Sequence, residues 1–280
     1  MLTISIDPVA FTIGSLAVRW YGILIGIGML SVLLMMLREA RRLGIKRDIY
    51  SIFLWGVLGG VIGARLAYVI FYWDHFMANP REIIGFAGLA QNGMVIGIIV
   101  AVLIYMVVTR MRFSTLLSIG DAFIVGGPLG LAIGRIGCTL NGCCHGAPSP
   151  FNFFPLATVY TARDTIAAQY WGVPLYPTQI YHSLWNLIVF AIVWRLRGKF
   201  KPEGSLLFFG LSLYAIGNFS VRFLRAEELV LWGLREAQVA ELAILAVFLP
   251  WLIIKLRRFN KQASVTELAT EAEQEQGHED

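Results

Sequence analysis

Charge is what this sequence has least of. Only 15% of its 280 residues are Asp, Glu, Lys or Arg, against a hydrophobic fraction of 57%, whereas an ordinary soluble domain is about a quarter charged. That composition excludes a soluble enzyme. The net charge of +5 does not indicate nucleic acid either, because the basic residues are placed by the apolar runs rather than gathered into a patch. Cysteine is as scarce: the three in the chain all fall between Cys138 and Cys144, which rules out a disulfide framework, though one pair with a leftover thiol stays open. The segment Met1 to Ala17 lacks the positive start and small-residue cleavage site of a secretory leader, so the first apolar run is expected to be a retained span. No internal repeat is visible, which argues against a transporter built from two related halves.

What the chain has instead is long apolar stretches. Seven are legible, at about 18–37, 50–72, 89–109, 116–135, 179–195, 204–223 and 239–256, each long enough to cross a bilayer of about 30 Å. The expectation is an all-α polytopic membrane protein of about seven transmembrane helices, with residues 1–260 forming one seven-span domain. Its longest loop is predicted over 138–178, where Phe151, Phe153, Phe154 and Trp171 suit either an interfacial role or an ordinary folded loop. After Phe259 the composition turns to Glu, Gln, Ala and Thr, which predicts a disordered acidic tail over 261–280.

The alternate loops and the C-terminal segment hold 15 of the 23 basic residues, so the positive-inside rule puts them in the cytoplasm and the N-terminus outside. The other eight are Arg19, Arg65, Arg81, Arg135, Arg163, Arg222, Arg225 and Arg235, with no lysine among them. A generic surface charge is served equally by lysine, whereas an arginine-only set suits two-point recognition of phosphate or carboxylate; chance is the competing explanation.

Residues 126–146 read Gly-Gly-Pro-Leu-Gly-Leu-Ala-Ile-Gly-Arg-Ile-Gly-Cys-Thr-Leu-Asn-Gly-Cys-Cys-His-Gly. A small-residue apolar helix of the kind that packs closely in membranes ends on Arg135 and runs into a glycine-punctuated turn. An arginine there either snorkels to the interface or holds an anion. Gly134, Gly137, Gly142 and Gly146 favour the anion, because they let backbone amides approach it.

Other polar groups stand at the span edges. Arg65 must face protein or water, with Asp121 as one structural partner. Asn92 either caps the third helix or offers an amide to a head-group cavity. Gln179 and Tyr181 open the fifth span behind Pro177, which is suited to a helix start. Tyr214, Asn218, Arg222 and Arg225 are spaced four, four and three apart and are expected on one helical face, lining a cavity or meeting head groups.

Arg19-Trp20-Tyr21-Gly22, Gly63 to Tyr68, Asn92 to Gly97, Gly134 to Gly146, Tyr176 to Tyr181 and Tyr214 to Arg225 together resemble the prolipoprotein diacylglyceryl transferases of the bacterial inner membrane. The 134–146 signature is the specific part of a match that runs nearly end to end. The resemblance implies a multi-pass inner-membrane enzyme that moves the diacylglyceryl group of phosphatidylglycerol onto the lipobox cysteine of a preprolipoprotein signal peptide, releasing glycerol phosphate and needing no cofactor. It also implies that Arg135 binds phosphatidylglycerol, that Asn141 and Gly146 belong to the signature, and that Tyr21 and Tyr214 are site tyrosines. The chain departs from the family pattern at Asn92, where a histidine is usual, and at Asn218, where an arginine is usual. Cys138 replaces an asparagine used by some members.

The reaction needs a thiolate, a carbon electrophile and stabilisation of the departing phosphate. Arg135 with Arg222 or Arg225 can supply the last. Asn92 cannot act as a general base, which leaves Tyr21, Tyr214, water, His145 or a positive potential that lowers the thiol pKa. Two other readings compete. One is a homologue that binds anionic lipid without catalysis. The other is a metal or redox protein built on Cys138, Cys143, Cys144 and His145, disfavoured because adjacent cysteines rarely reach one tetrahedral ion together; no bound metal is expected.

Overall fold

The computed structural model describes the chain except Met1, Ser15, residues 85–87, Leu89, Arg163 and residues 277–280, and the side chains of Leu16, Ile84 and residues 260–276. The loop position Arg163 therefore lies outside the described residues, as does the end of the acidic tail.

Three short strands, β1 (Leu2–Ile4), β2 (Val9–Ile13) and β3 (Leu16–Arg19), precede helix α1 (Trp20–Arg42). Then follow α2 (Ile49–Phe71), α3 (Trp73–Ala78), α4 (Gln91–Val108) and α5 (Phe113–Asn141). After β4 (Thr158–Tyr160) come α6 (Thr178–Leu196), α7 (Ser205–Arg222), a hairpin of β5 (Leu229–Leu231) with β6 (Leu234–Arg235), and α8 (Glu236–Gln276). Seven long helices thus occupy the seven predicted positions. Six are long and apolar enough to cross a membrane. The seventh, α6, owes its lower apolarity to Thr178, Gln179, His182, Ser183 and Asn186, all buried within the protein. This is a polytopic, mainly helical membrane protein.

The strands are an addition to the all-α expectation. They pair as three two-stranded ribbons, β1 parallel to β4, β2 with β3 and β5 with β6. All lie outside the long helices, where backbone groups must find other partners. Over 261–280, where composition predicts disorder, the backbone of α8 is helical to Gln276; Ala, Glu, Gln and Leu are good helix formers whatever surrounds them.

The chain divides into two units. One comprises residues 37–119. Within it α2 and α4 meet through glycines, and a Cβ on Gly59 would fall 2.6 Å from the Gly97 carbonyl oxygen, the small-residue packing expected of helices in lipid. Arg65 there donates to the backbone carbonyls of Ile83, Glu82 and Gly88 and lies 5.1 Å from the Phe76 ring centroid. The cap position of α4 is Ala90, with no side-chain cap bond. Asn92 is therefore inside the first turn and not the cap, because the helix starts one residue before it at Gln91.

The other unit comprises residues 1–36 and 120–280 and holds the candidate site. Ile124 and Val125 of α5, Val189 and Val193 of α6 and Leu206 of α7 form its apolar centre. Asp121 of α5 caps α7 from outside, accepting from the amides of Gly204 at 2.6 Å and Leu207 at 2.8 Å. Both its oxygens are thereby committed, which accounts for an acid in an apolar span without Arg65.

Candidate active site

Sequence reasoning ends the fourth span at Arg135, but α5 continues to Asn141, so Arg135 projects from the last turns of a helix rather than from its end. What stops the helix is Gly142, at φ +70°. The Gly142 amide donates to Thr139 O at 3.3 Å and the Cys143 amide to Cys138 O at 3.1 Å, the paired bonds of a Schellman cap. Cys144 is also left-handed, at φ 61°, which curls the chain back over the helix end.

That turn is held from two sides. Thr178 Oγ1 donates to Cys144 O at 2.8 Å and Gln179 Nε2 to Cys143 O at 2.8 Å, so the start of α6 fixes both cysteine carbonyls. Gln179 is fully buried, also donates to the Tyr160 hydroxyl, and leaves Oε1 without a partner. The Gly146 amide donates to Tyr176 O and the Ala147 amide to Leu224 O. A Cβ at Gly146 would lie 2.6 Å from Tyr176 Cβ and 2.7 Å from Leu224 O, which is why glycine closes the motif. Asn141 is buried; its side-chain oxygen accepts from Arg19 at 3.3 Å and its carbonyl from Thr165 Oγ1 at 3.1 Å. Its role is to tie the helix end to the chain before α1 and to the following loop.

Arg135 is half-buried. Its guanidinium interacts electrostatically with the Tyr214 hydroxyl and with Cys138, Cys143 and Cys144. Among the described residues no carboxylate lies within ion-pair distance of it. Tyr21, on the first turn of α1, feels the same three sulfurs and the same cation. Gly137 allows the close approach, since a Cβ at that position would fall 3.3 Å from Tyr21 Cα.

Arg222 and Arg225 are arranged differently. Both are buried, and both donate to Glu227, Arg222 at 2.8 Å to each oxygen and Arg225 at 2.8 Å to one. Arg225 lies beyond α7, which ends at Arg222; a turn with Arg225 N donating to Arg222 O, not a continuous helical face, brings it in. Glu241 of α8 is 4% exposed, accepts from Asn218 Nδ2 and stands 4.0 Å from Arg222 Nε. The Nε atoms of both arginines, Asn218 Oδ1 and His182 Nε2 are buried without hydrogen-bond partners. Glu227, Glu241 and His182 escaped the sequence reading, although one acid in an apolar span is itself a signal.

The sulfurs of the three cysteines, whose spacing disfavours a shared tetrahedral ion, lie within 4.8 Å of one another, and Cys144 is left-handed. Cys144 is held well below the ordinary thiol range by hydrogen bonds from Cys138 and Cys143, with Arg135 and Arg225 adding positive charge. Asn92 belongs to the unit of residues 37–119, not to the unit that holds the residues just described.

The family model for prolipoprotein diacylglyceryl transferase matches residues 8–254. The chain is similar to proteins named phosphatidylglycerol–prolipoprotein diacylglyceryl transferase. That of Dehalococcoides mccartyi is 34% identical over 95% of this chain and 100% of its own length. That of Clostridioides difficile is 36% identical over 84% and 90%, and that of Bacillus cytotoxicus 36% over 89% and 92%.

Proposed function

We propose, from the premise that the chain belongs to the prolipoprotein diacylglyceryl transferase family, that it transfers the diacylglyceryl group of phosphatidylglycerol to the lipobox cysteine thiol of preprolipoproteins. It works in the bacterial inner membrane, with its N-terminus outside and its C-terminus in the cytoplasm, as the distribution of basic residues supports. The acceptor sulfur attacks the glyceryl carbon bonded to the phosphate oxygen. The S–C bond forms, the C–O bond breaks, and its electron pair leaves on glycerol phosphate, which gains a unit of negative charge as the thiol gives up its proton.

Arg135 carries this reading: a half-buried fork with a tyrosine partner and no competing carboxylate among the described residues is suited to an oxygen on which charge develops. Tyr214 orients that fork, Tyr21 borders it, and Gln179, Asn141 and Gly146 fix the turn beside it. Arg222 and Arg225, already paired with Glu227, contribute positive potential that binds the anionic lipid. Asn92, as an amide, supplies no base.

The test is transfer of radiolabelled diacylglycerol from phosphatidylglycerol to a lipobox peptide. Arg135→Lys keeps the charge and the reach but loses the fork, and turnover is expected to fall on the order of 100-fold or more, with unchanged abundance and with Arg81→Lys as an unaffected control. Equal turnover in Arg135→Lys and wild type would make Arg135 a snorkelling side chain. Absence of transfer by the wild type would leave a lipid-binding homologue without catalysis.

A further inference from the structure

We propose that Cys138, Cys143 and Cys144 bind one thiophilic metal ion of the zinc(II) class and leave its fourth position open to a thiol. Three sulfurs around a tetrahedral ion, at about 2.3 Å each, stand about 3.8 Å apart. The three here lie within 4.8 Å of one another, within about an ångström of that spacing. The backbone has been shaped for it: the Schellman cap sets Cys143 back over Cys138, and the left-handed Cys144 turns a neighbouring side chain to the same point, at a cost such a residue bears only where something holds it. Thr178 and Gln179 supply that hold through the two cysteine carbonyls.

The donor chemistry selects the ion. Thiolates favour zinc(II) and copper(I) over hard cations. Three protein ligands with one vacant position are the pattern of reactive rather than structural zinc sites. Charge closes too: three thiolates, a divalent ion and Arg135, which interacts with all three sulfurs, sum to zero. Cys138 is buried, while Cys143 and Cys144 are half-buried, which leaves a face by which a fourth ligand enters.

This inference rests on the transferase reading for its consequence. An acceptor thiol that enters the vacant position displaces water and binds as thiolate, its proton leaving to solvent. A nucleophile is thereby generated beside Arg135 with no basic side chain taking part, and the sulfur then alkylates as described above.

The full-length protein, purified in detergent under reducing conditions, is loaded with zinc(II), or with cobalt(II) as a coloured probe, and desalted. The expected result is about one ion per chain, thiolate-to-cobalt charge-transfer absorption, and a change in the cobalt ligand-field bands on adding a lipobox peptide but not its Cys→Ser analogue. Cys143→Ser, at a half-buried position, is expected to lose most of the bound metal while keeping its gel-filtration profile. In the wild type, zinc is expected to slow alkylation of the native cysteines at least tenfold, a readout that needs no variant. Failure to retain metal, retention undiminished in Cys143→Ser, or a disulfide between two of the three sulfurs that persists under reduction would each overturn the site; cobalt bands indifferent to the thiol peptide would overturn the open position. Metal retained by a protein with no transferase activity would instead count against the transferase reading, and transfer by metal-free protein at the full rate against the role of the ion.

Discussion

Asn218 and Glu241 meet inside the arginine cluster, and charge dictates which of them is the amide. The Asn218 amide donates to a Glu241 oxygen, and both residues are only 4% exposed. Asp at position 218 would offer acceptors alone and set two carboxylates against each other out of water. Asn218→Asp is expected to destabilise the protein by on the order of 3 kcal/mol, read as a lower melting temperature in detergent, and Glu241→Gln in the same chain is expected to restore most of it. An additive double variant would contradict the pairing. At Gly146 the constraint is steric instead. Gly146→Ala drives a methyl into Tyr176 and the Leu224 carbonyl, and about 1–3 kcal/mol of overpacking is expected as reduced abundance together with reduced transfer. Arg135 and Gly146 were legible because an arginine in a small-residue helix and a glycine-spaced turn each limit what the chain can do. Glu227 and Glu241 were not, since their importance lies in which arginine they face across a fold.

Helix ends are where local sequence and tertiary structure divide the work. Asp48 caps α2 by a rule readable from sequence: it accepts from Ser51 Oγ at 2.5 Å and from the Tyr50 and Ser51 amides. The hydrogen bonds from the Ser51 side chain and amide hold its carboxyl below the usual range. A folded pKa lowered in this way adds stability above the unfolded carboxylate pKa of about 3.9, and that contribution disappears as pH falls through the folded value. Asp48→Ala is therefore expected to lower the melting temperature at neutral pH and to leave it nearly unchanged at low pH, so the two proteins converge on acidification. The start of α7 follows no such local rule. Gly204 precedes it with no side-chain cap, and Asp121 reaches over from α5, a contact 83 residues away in sequence. Asp121→Ala orphans two backbone donors and is expected to cost roughly 1–2 kcal/mol, with faster hydrogen exchange at Gly204 and Leu207 as the local readout. The same division explains the misplaced end of α5: glycines at 134 and 137 suggest a stop, but only Gly142 takes a positive φ, and neighbouring backbone bonds decide that.

Across the whole molecule the apolar runs were legible because lipid demands them: a spanning segment must satisfy its backbone internally and cover itself with apolar side chains. The strand pairs were not: β1 with β4 joins segments more than 150 residues apart, and the local ribbons β2 with β3 and β5 with β6 have strands of two to five residues, too short to carry a readable period. The proposed orientation rests on charge alone. Arg38, Arg41, Arg42, Lys46 and Arg47 lie between α1 and α2 or at the end of α1, Arg110 and Arg112 between α4 and α5, and Arg195, Arg197, Lys199 and Lys201 between α6 and α7 or at the end of α6. The turns at the opposite ends of these helices carry the β5–β6 hairpin and the loop of residues 142–177, where lysine is absent. If those basic segments face the cytoplasm, a periplasm-dependent phosphatase reporter fused after Phe259 is expected to be inactive, and the same reporter inserted at Gly233, in the tip of the hairpin, is expected to be active. A cytoplasm-dependent fluorescent reporter should give the opposite pattern at the same two positions. Activity of the phosphatase at both positions would place the two ends of α8 on one side, and α8 would then not cross the membrane. A reversed pattern would put Arg135 and the cysteine turn on the cytoplasmic side, where the acceptor peptide would have to be modified before export.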